Sequence, residues 1–178
     1  NYCQDIAIYY SYNSNFDNNT NRLNTADIRW DFDPFSIEQS MDSHKKAAEN
    51  LGKILLYLNI PFGVITKSDL KELFKYQIIM LPNVMVLEAE EVDTLKAYVS
   101  QGGNLYASKN TSLISIDGAK QKNFMLSDLF GVSYLGETEE IVTYISPKET
   151  HAYIFEQYSP QMPVTLYGTQ TLVKPEKV

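Results

Sequence analysis

The stretch 76-YQIIMLPNVMVLEAEEVDTLKAYVSQGGNLYASKN-110 decides the fold. Tyr76 to Leu81 is apolar almost throughout. So short a run without a polar face fits a strand covered on both sides, as in parallel sheets. Pro82-Asn83 interrupts it with turn chemistry. Glu88 to Ser100 then reads as an amphipathic helix with Val92, Leu95 and Val99 inward. Glu88, Glu90 and Glu91 crowd its first turn, where the helix dipole favours negative charge. Gly102-Gly103 stops it, because glycine tolerates the left-handed conformation of a helix end. Asn104 to Ser108 returns as a strand, which completes a strand–helix–strand unit.

The rest of the chain extends that unit. Asp5 to Tyr10 (DIAIYY) is short and β-rich and suits a central strand. A polar loop, Ser11 to Pro34, is crowded with Asn and Asp, which bond their own backbone and favour turns. Ser36 or Ser40 can cap the next helix, placed from about Ile37 to Asn59, with Ala47, Leu51, Ile54, Leu55 and Leu58 forming its buried face. Ile60 to Ile65 is the second strand, and Asp69 to Leu73 a short helical turn. Phe124 to Phe130 is a short helix ended by Gly131, with an extended piece at Val132–Tyr134. From Glu139 onward the pattern changes to short extended runs: Ile141–Ile145, Ala152–Phe155 and Val164–Val173.

This order predicts an α/β fold: a flavodoxin-like, three-layer, doubly wound and mostly parallel sheet of strand order 2-1-3-4-5. Extra β segments follow near the C-terminus. The first, third and fourth strands are expected to be buried. Residues 1–135 form the α/β domain, and residues 136–178 a β-rich extension of it. Both ends read as cuts in a longer polypeptide.

With 178 residues, 44% of them apolar, the chain can bury a core of ordinary size. Its 22 acidic against 15 basic residues give a net charge of −7. Such a chain repels phosphate backbones and anionic lipid, so no nucleic-acid or membrane partner is expected. No run approaches the roughly 18 apolar residues of a spanning helix, and no signal peptide is visible. The single cysteine, Cys3, allows no internal disulfide and reads as a small buried apolar residue.

Candidate chemistry is sparse. Glu90-Glu91 and Glu139-Glu140 are adjacent pairs that cannot face one another across a glycosidic bond, and they read as solvated surface. His44 and His151 have no Cys, Asp or second His at ligand spacing, so no metal is expected. No Walker loop or GxGxxG occurs, and no cofactor is expected. Ser108 lacks the flanking glycines of a nucleophile elbow. Lys109 and Asn110, at the carboxyl end of the fourth strand, could bind a polar group in the crevice usual for such sheets. The loop Ala26–Phe35 holds the only Trp, an Arg and three Asp. Trp and Arg are favoured interface anchors. Arg29, Trp30, Asp31 and Phe32 are therefore candidate interface or ligand contacts, beside the alternative that the loop folds back on its own domain.

Tyr76–Pro82, followed by Leu87, Glu91, Leu95, Tyr98-Val99 and Gly102-Gly103-Asn104-Leu105 at their spacing, resembles the β-galactosidase trimerisation domain. Asp128-Leu129-Phe130-Gly131-Val132 resembles a later step of that family. The resemblance runs from about Asp5 to Tyr134. It implies a class I glutamine amidotransferase-like fold without the nucleophile: a relative with that chemistry would carry Cys after the fourth strand, where Ala107-Ser108-Lys109-Asn110 stands. It further implies a non-catalytic structural and oligomerisation domain of a bacterial glycoside hydrolase. Its partner would be the (β/α)8 catalytic domain of the same polypeptide, within a homo-oligomer. Cytoplasm and periplasm both stay open. The alternative is an amidotransferase-like hydrolase or small-ligand-binding domain with a site at Ser108–Asn110.

Overall fold

The computed structural model describes residues 4–15, 44–140, 142–146 and 158–176. It divides into two compact units, Asn1–Tyr134 with Lys174–Val178, and Leu135–Val173. Cys3, the loop from 16 to 34, the proposed caps Ser36 and Ser40, His151 and the run Ala152–Phe155 lie outside the described residues.

The first unit is built on four parallel strands: β1 (Ile6–Tyr9), β2 (Phe62–Ile65), β3 (Ile78–Leu81) and β4 (Asn104–Ala107). Their order is β2-β1-β3-β4, which agrees with the first four strands of the expected order. Ile6 stands opposite both Phe62 and Ile78, and Met80 opposite Tyr106. β1 and β3 are the inner strands. Their near-continuous apolar character follows from cover on both faces.

The expectation that β4 is buried is corrected. Asn104 and Tyr106 are exposed, because β4 is the last of the described strands in the sheet and one of its faces is left open. The next extended piece, β5 (Val132–Glu137), does not add to this sheet. It pairs instead with β8 (Thr171–Pro175).

Alternate residues of the inner strands feed two cores. Ala7, Tyr9, Ile79 and Leu81 pack with Leu70 and Leu73 of a 3-10 segment (Lys67–Lys75) and with Val92, Leu95 and Tyr98 of a helix, Ala89–Ser100. Ile8, with Ile6 and Met80, packs against Ala48 and Leu55 of the preceding helix, α1 (His44–Tyr57). The helix Ala89–Ser100 is α2. It ends as its sequence predicts: Gly102 takes φ +95°, and a Cβ on Gly103 would lie 2.2 Å from the Tyr98 ring. Only glycine fits there. The Tyr98 hydroxyl in turn donates to Tyr76 O at 3.0 Å.

The buried stripe of α1 differs from the expected one. It runs His44, Ala48, Gly52, Leu55, while Ile54 and Leu58 are exposed. The helix lies close against the sheet at Gly52, where an added Cβ would lie 3.5 Å from the Phe62 ring. A stripe centred on a glycine and a histidine is invisible to a count of apolar residues. After β4, a looped segment buries Leu113, Ile114, Phe124 and Leu126 and leads into α3 (Ser127–Phe130), shorter than expected. Gly131 closes α3 at φ 62°, its N–H donating to Ser127 O at 2.9 Å.

The second unit contains an antiparallel pair, β6 (Val142–Ile145) and β7 (Val164–Tyr167), with Val142 opposite Tyr167 and Ile145 opposite Val164. Gly168, at φ +84°, breaks the expected Val164–Val173 run into β7 and β8. Thr138 and Gln170 tie this unit together, Thr138 N–H donating to Gln170 O and Gln170 N–H to the Thr138 hydroxyl, each at 2.9 Å.

Candidate functional site

The carboxyl ends of β1, β3 and β4 carry most of the polar side chains buried in the first unit. Tyr9, the last residue of β1, donates its hydroxyl to Glu91 Oε1. The other Glu91 oxygen accepts the Glu88 N–H at 2.7 Å. Glu91 is thus buried, which corrects its reading as solvated surface; Glu90 beside it is exposed, as are Glu139 and Glu140. The spacing Glu88-x-x-Glu91 at a helix start is the reciprocal cap that could have signalled this. Burial, and then the adjacent Glu91 carboxylate, push the Tyr9 phenol well above its usual range, so it remains a donor. Outside this pair, Glu88 bonds Lys67 Nζ at 2.7 Å and Asn13 Nδ2 at 3.1 Å. The Lys67 bond holds the Glu88 carboxyl below its ordinary value and lifts the ammonium in return.

His44 is fully buried at the start of α1. Its Nε2 accepts the Ser11 N–H at 2.9 Å, and Nδ1 lies 2.7 Å from Pro82 O. These partners fix the neutral tautomer with the proton on Nδ1. Burial lowers the imidazole's affinity for a second proton. With both nitrogens engaged by backbone, this ring clamps the ends of β1 and β3 and is not placed to act as a base. Ser14 adds to the clamp: its hydroxyl accepts the Val86 N–H at 3.0 Å and lies 2.9 Å from Ser11 Oγ.

Ser108, Lys109 and Asn110 follow β4 in a tight turn, with Lys109 at φ 53° facing the Pro82-Asn83 turn, where Asn83 is at φ 52°. The Ser108 hydroxyl accepts the Asn83 N–H at 3.0 Å, and the Asn110 N–H donates to Asn83 Oδ1 at 3.2 Å. Thr111 Oγ1 accepts the Val84 N–H at 3.1 Å and lies 3.0 Å from Leu81 O. The crevice position therefore holds two turns laced together. Lys109 and Asn110 are half-buried beside it. Arg29, Trp30, Asp31 and Phe32 lie outside the described residues. Among the described residues, no cluster of three or more His, Cys, Asp or Glu could hold a metal ion, and no helix is long and apolar enough to cross a membrane.

A depression of about 330 Å³ lies at the opposite end of the sheet, lined by Phe74, Tyr76, Gln77, Tyr98, Gln101 and Asn104. It is open, bears no charged group, and is far from the strand ends where sheets of this kind carry their ligands.

Residues 4–155 match the model of the β-galactosidase trimerisation domain. The chain belongs to that family. The trimerisation domain is a non-catalytic part of β-galactosidases, and the engagement of Ser108 and His44 by backbone groups is in keeping with it. The fold is also that of much longer proteins. The β-galactosidase from Rahnella sp. R3 superposes with a TM-score of 0.68 at 15% identity, covering 97% of this chain and 23% of that one. A catalytic mutant of Gan42B, a GH42 β-galactosidase from G. stearothermophilus, gives 0.64 at 15% identity, with 97% and 22% covered. An α-L-fucosidase isoenzyme from Paenibacillus thiaminolyticus gives 0.62 at 14% identity, with 97% and 22% covered. The chain thus spans less than a quarter of the length of each of these neighbours. No curated protein matches its sequence.

Proposed function

We propose that this chain is the oligomerisation module of a bacterial glycoside hydrolase. The catalytic (β/α)8 barrel would lie in the same polypeptide and the active form would be a homo-oligomer. The observation that carries this reading is the family match over residues 4–155. The strand order β2-β1-β3-β4, with helices packed from two cores, supports a flavodoxin-like, doubly wound relationship and descent from an amidotransferase-like fold. Residues 136–178 are then an extension of the same domain. The loop carrying Arg29, Trp30, Asp31 and Phe32 packs against the barrel or a neighbouring subunit, and Lys109 and Asn110 offer polar contacts at the sheet's carboxyl end. The acidic balance argues against nucleic acid or an anionic membrane surface as partner.

The test is deletion of this segment from the parent enzyme. The expected product is a smaller assembly that still turns over a nitrophenyl glycoside. A truncated enzyme that keeps its subunit number refutes the assignment. The 178-residue chain alone should hydrolyse neither glutamine, simple esters nor nitrophenyl glycosides. Turnover abolished by Ser108→Ala would favour an amidotransferase-like hydrolase instead.

A further inference from the structure

The last turn of α1 is apolar on every side. Ile54-Leu55-Leu56-Tyr57-Leu58 is a run of five apolar residues of which only Leu55 enters the core. Ile54 is 53% exposed, Leu56 67%, Tyr57 88% and Leu58 61%. A helix that is apolar all round belongs in an interior, and a consecutive exposed apolar run is retained only where it serves a contact.

This turn is not a frayed end. Asn59 adopts φ 55°, its N–H donates to Leu56 O at 3.0 Å, and the Ile60 N–H donates to Leu55 O at 2.9 Å. That is the paired-bond helix stop in which Asn replaces the usual glycine. Ile60 and Leu55 close it by packing in the same core cluster. The display is therefore held on a rigid scaffold. It leads straight into β2, an outer strand of the sheet, where Val64 is 61% exposed. Outer strands are ordinarily guarded by charge, lysine above all; β2 has none. From Ile54 to Thr66 there is no charged residue, although the chain carries 37 elsewhere.

We infer that the end of α1 together with β2 is the face on which a second copy of this chain seats. The inference rests on the oligomerisation reading above and adds the surface. Charge selects the occupant. Copies that each carry −7 repel one another, so they approach best where neither presents a carboxylate and no ion must be stripped of water. Five large side chains at these exposures leave on the order of 500 Å² of apolar surface. That is at the upper end of what a monomer carries, and most of the ~800 Å² one partner gives to a standard interface.

The test is sedimentation equilibrium on the 178-residue chain, unmodified and with Leu56→Glu plus Tyr57→Glu, beside a control with Tyr144→Glu on β6. The unmodified chain and the control are expected at a multiple of the 20.3 kDa chain mass, three times that mass for a trimer. The double variant is expected at the chain mass, with self-association weakened by about tenfold or more. Because both side chains face solvent in the single chain, its circular dichroism should match that of the Tyr144→Glu control, and its thermal midpoint should match within about 4 °C at dilutions where the control is also a monomer. If the unmodified chain is oligomeric and the double variant keeps its mass, this face is wrong and the oligomerisation reading stands. If the unmodified chain is a monomer up to about 100 μM, the oligomerisation reading itself falls, and this face with it.

Discussion

Strand β1 reads Ile-Ala-Ile-Tyr and strand β6 reads Val-Thr-Tyr-Ile, two four-residue segments of nearly equal β character. In β1, Ala7, Ile8 and Tyr9 are all buried; in β6 no side chain is. The difference lies in the neighbours. β1 has a parallel partner on each side and packed cores on both faces. Among the described residues β6 has one partner, β7, and a two-stranded ladder is marginal in water by itself. Among the described residues of 135–173 none is buried, and the shielded Thr143 hydroxyl has no hydrogen-bond partner. Strand propensity thus reports a fit to a half-buried surface, and position in the sheet decides whether that surface exists. Among the described residues, the packed cores lie in the first unit, and the second adds no buried side chain.

That contrast can be broken by substitution. Leu95→Ala, in the centre of the larger core, should cost about 2–5 kcal/mol in denaturant unfolding; a loss below about 1 kcal/mol would mean the core is not where the contrast puts it. Tyr9→Phe removes a side-chain donor to the buried Glu91 and should cost about 1–3 kcal/mol. A neutral outcome would show that the helix cap alone satisfies that carboxylate.

The His44 clamp should appear as a pH dependence. The folded chain holds the imidazole below its ordinary value, while the unfolded chain takes up a proton near pH 6.5. Protonation therefore favours the unfolded state, and stability should fall as pH drops below about 6.5. His44→Gln should be less stable at pH 8 but show a shallower decline between pH 7.5 and about 5.5. An unchanged slope would place the titration elsewhere. The smallest effect is expected in the second unit, where Tyr144→Ala should stay within about 0.5 kcal/mol.

Much of the first unit was legible because its signals are local. The apolar run Ile78–Leu81, the Pro82-Asn83 turn and the Gly102-Gly103 stop each read directly, and the close approach of Tyr98 explains why two glycines stand together. What escaped depended on tertiary neighbours. The α1 stripe passes through His44 and Gly52, which an apolar count skips. Glu91 looked solvated because its partner, Tyr9, is 82 residues away in sequence. β4 looked buried because nothing local marks it as the last strand. At the candidate site, the missing glycines around Ser108 already spoke against an elbow. The lacing of its hydroxyl to Asn83 across 25 residues could not be read from the chain alone.

Native-state amide hydrogen exchange tests the central contrast most directly. Amides of β1 and β3 should exchange only through global unfolding, and those of β6 and β7 by local opening of far lower free energy. Equal protection of the Ile145 and Ile8 amides would contradict the account, since the β6–β7 ladder would then belong to the same cooperative core.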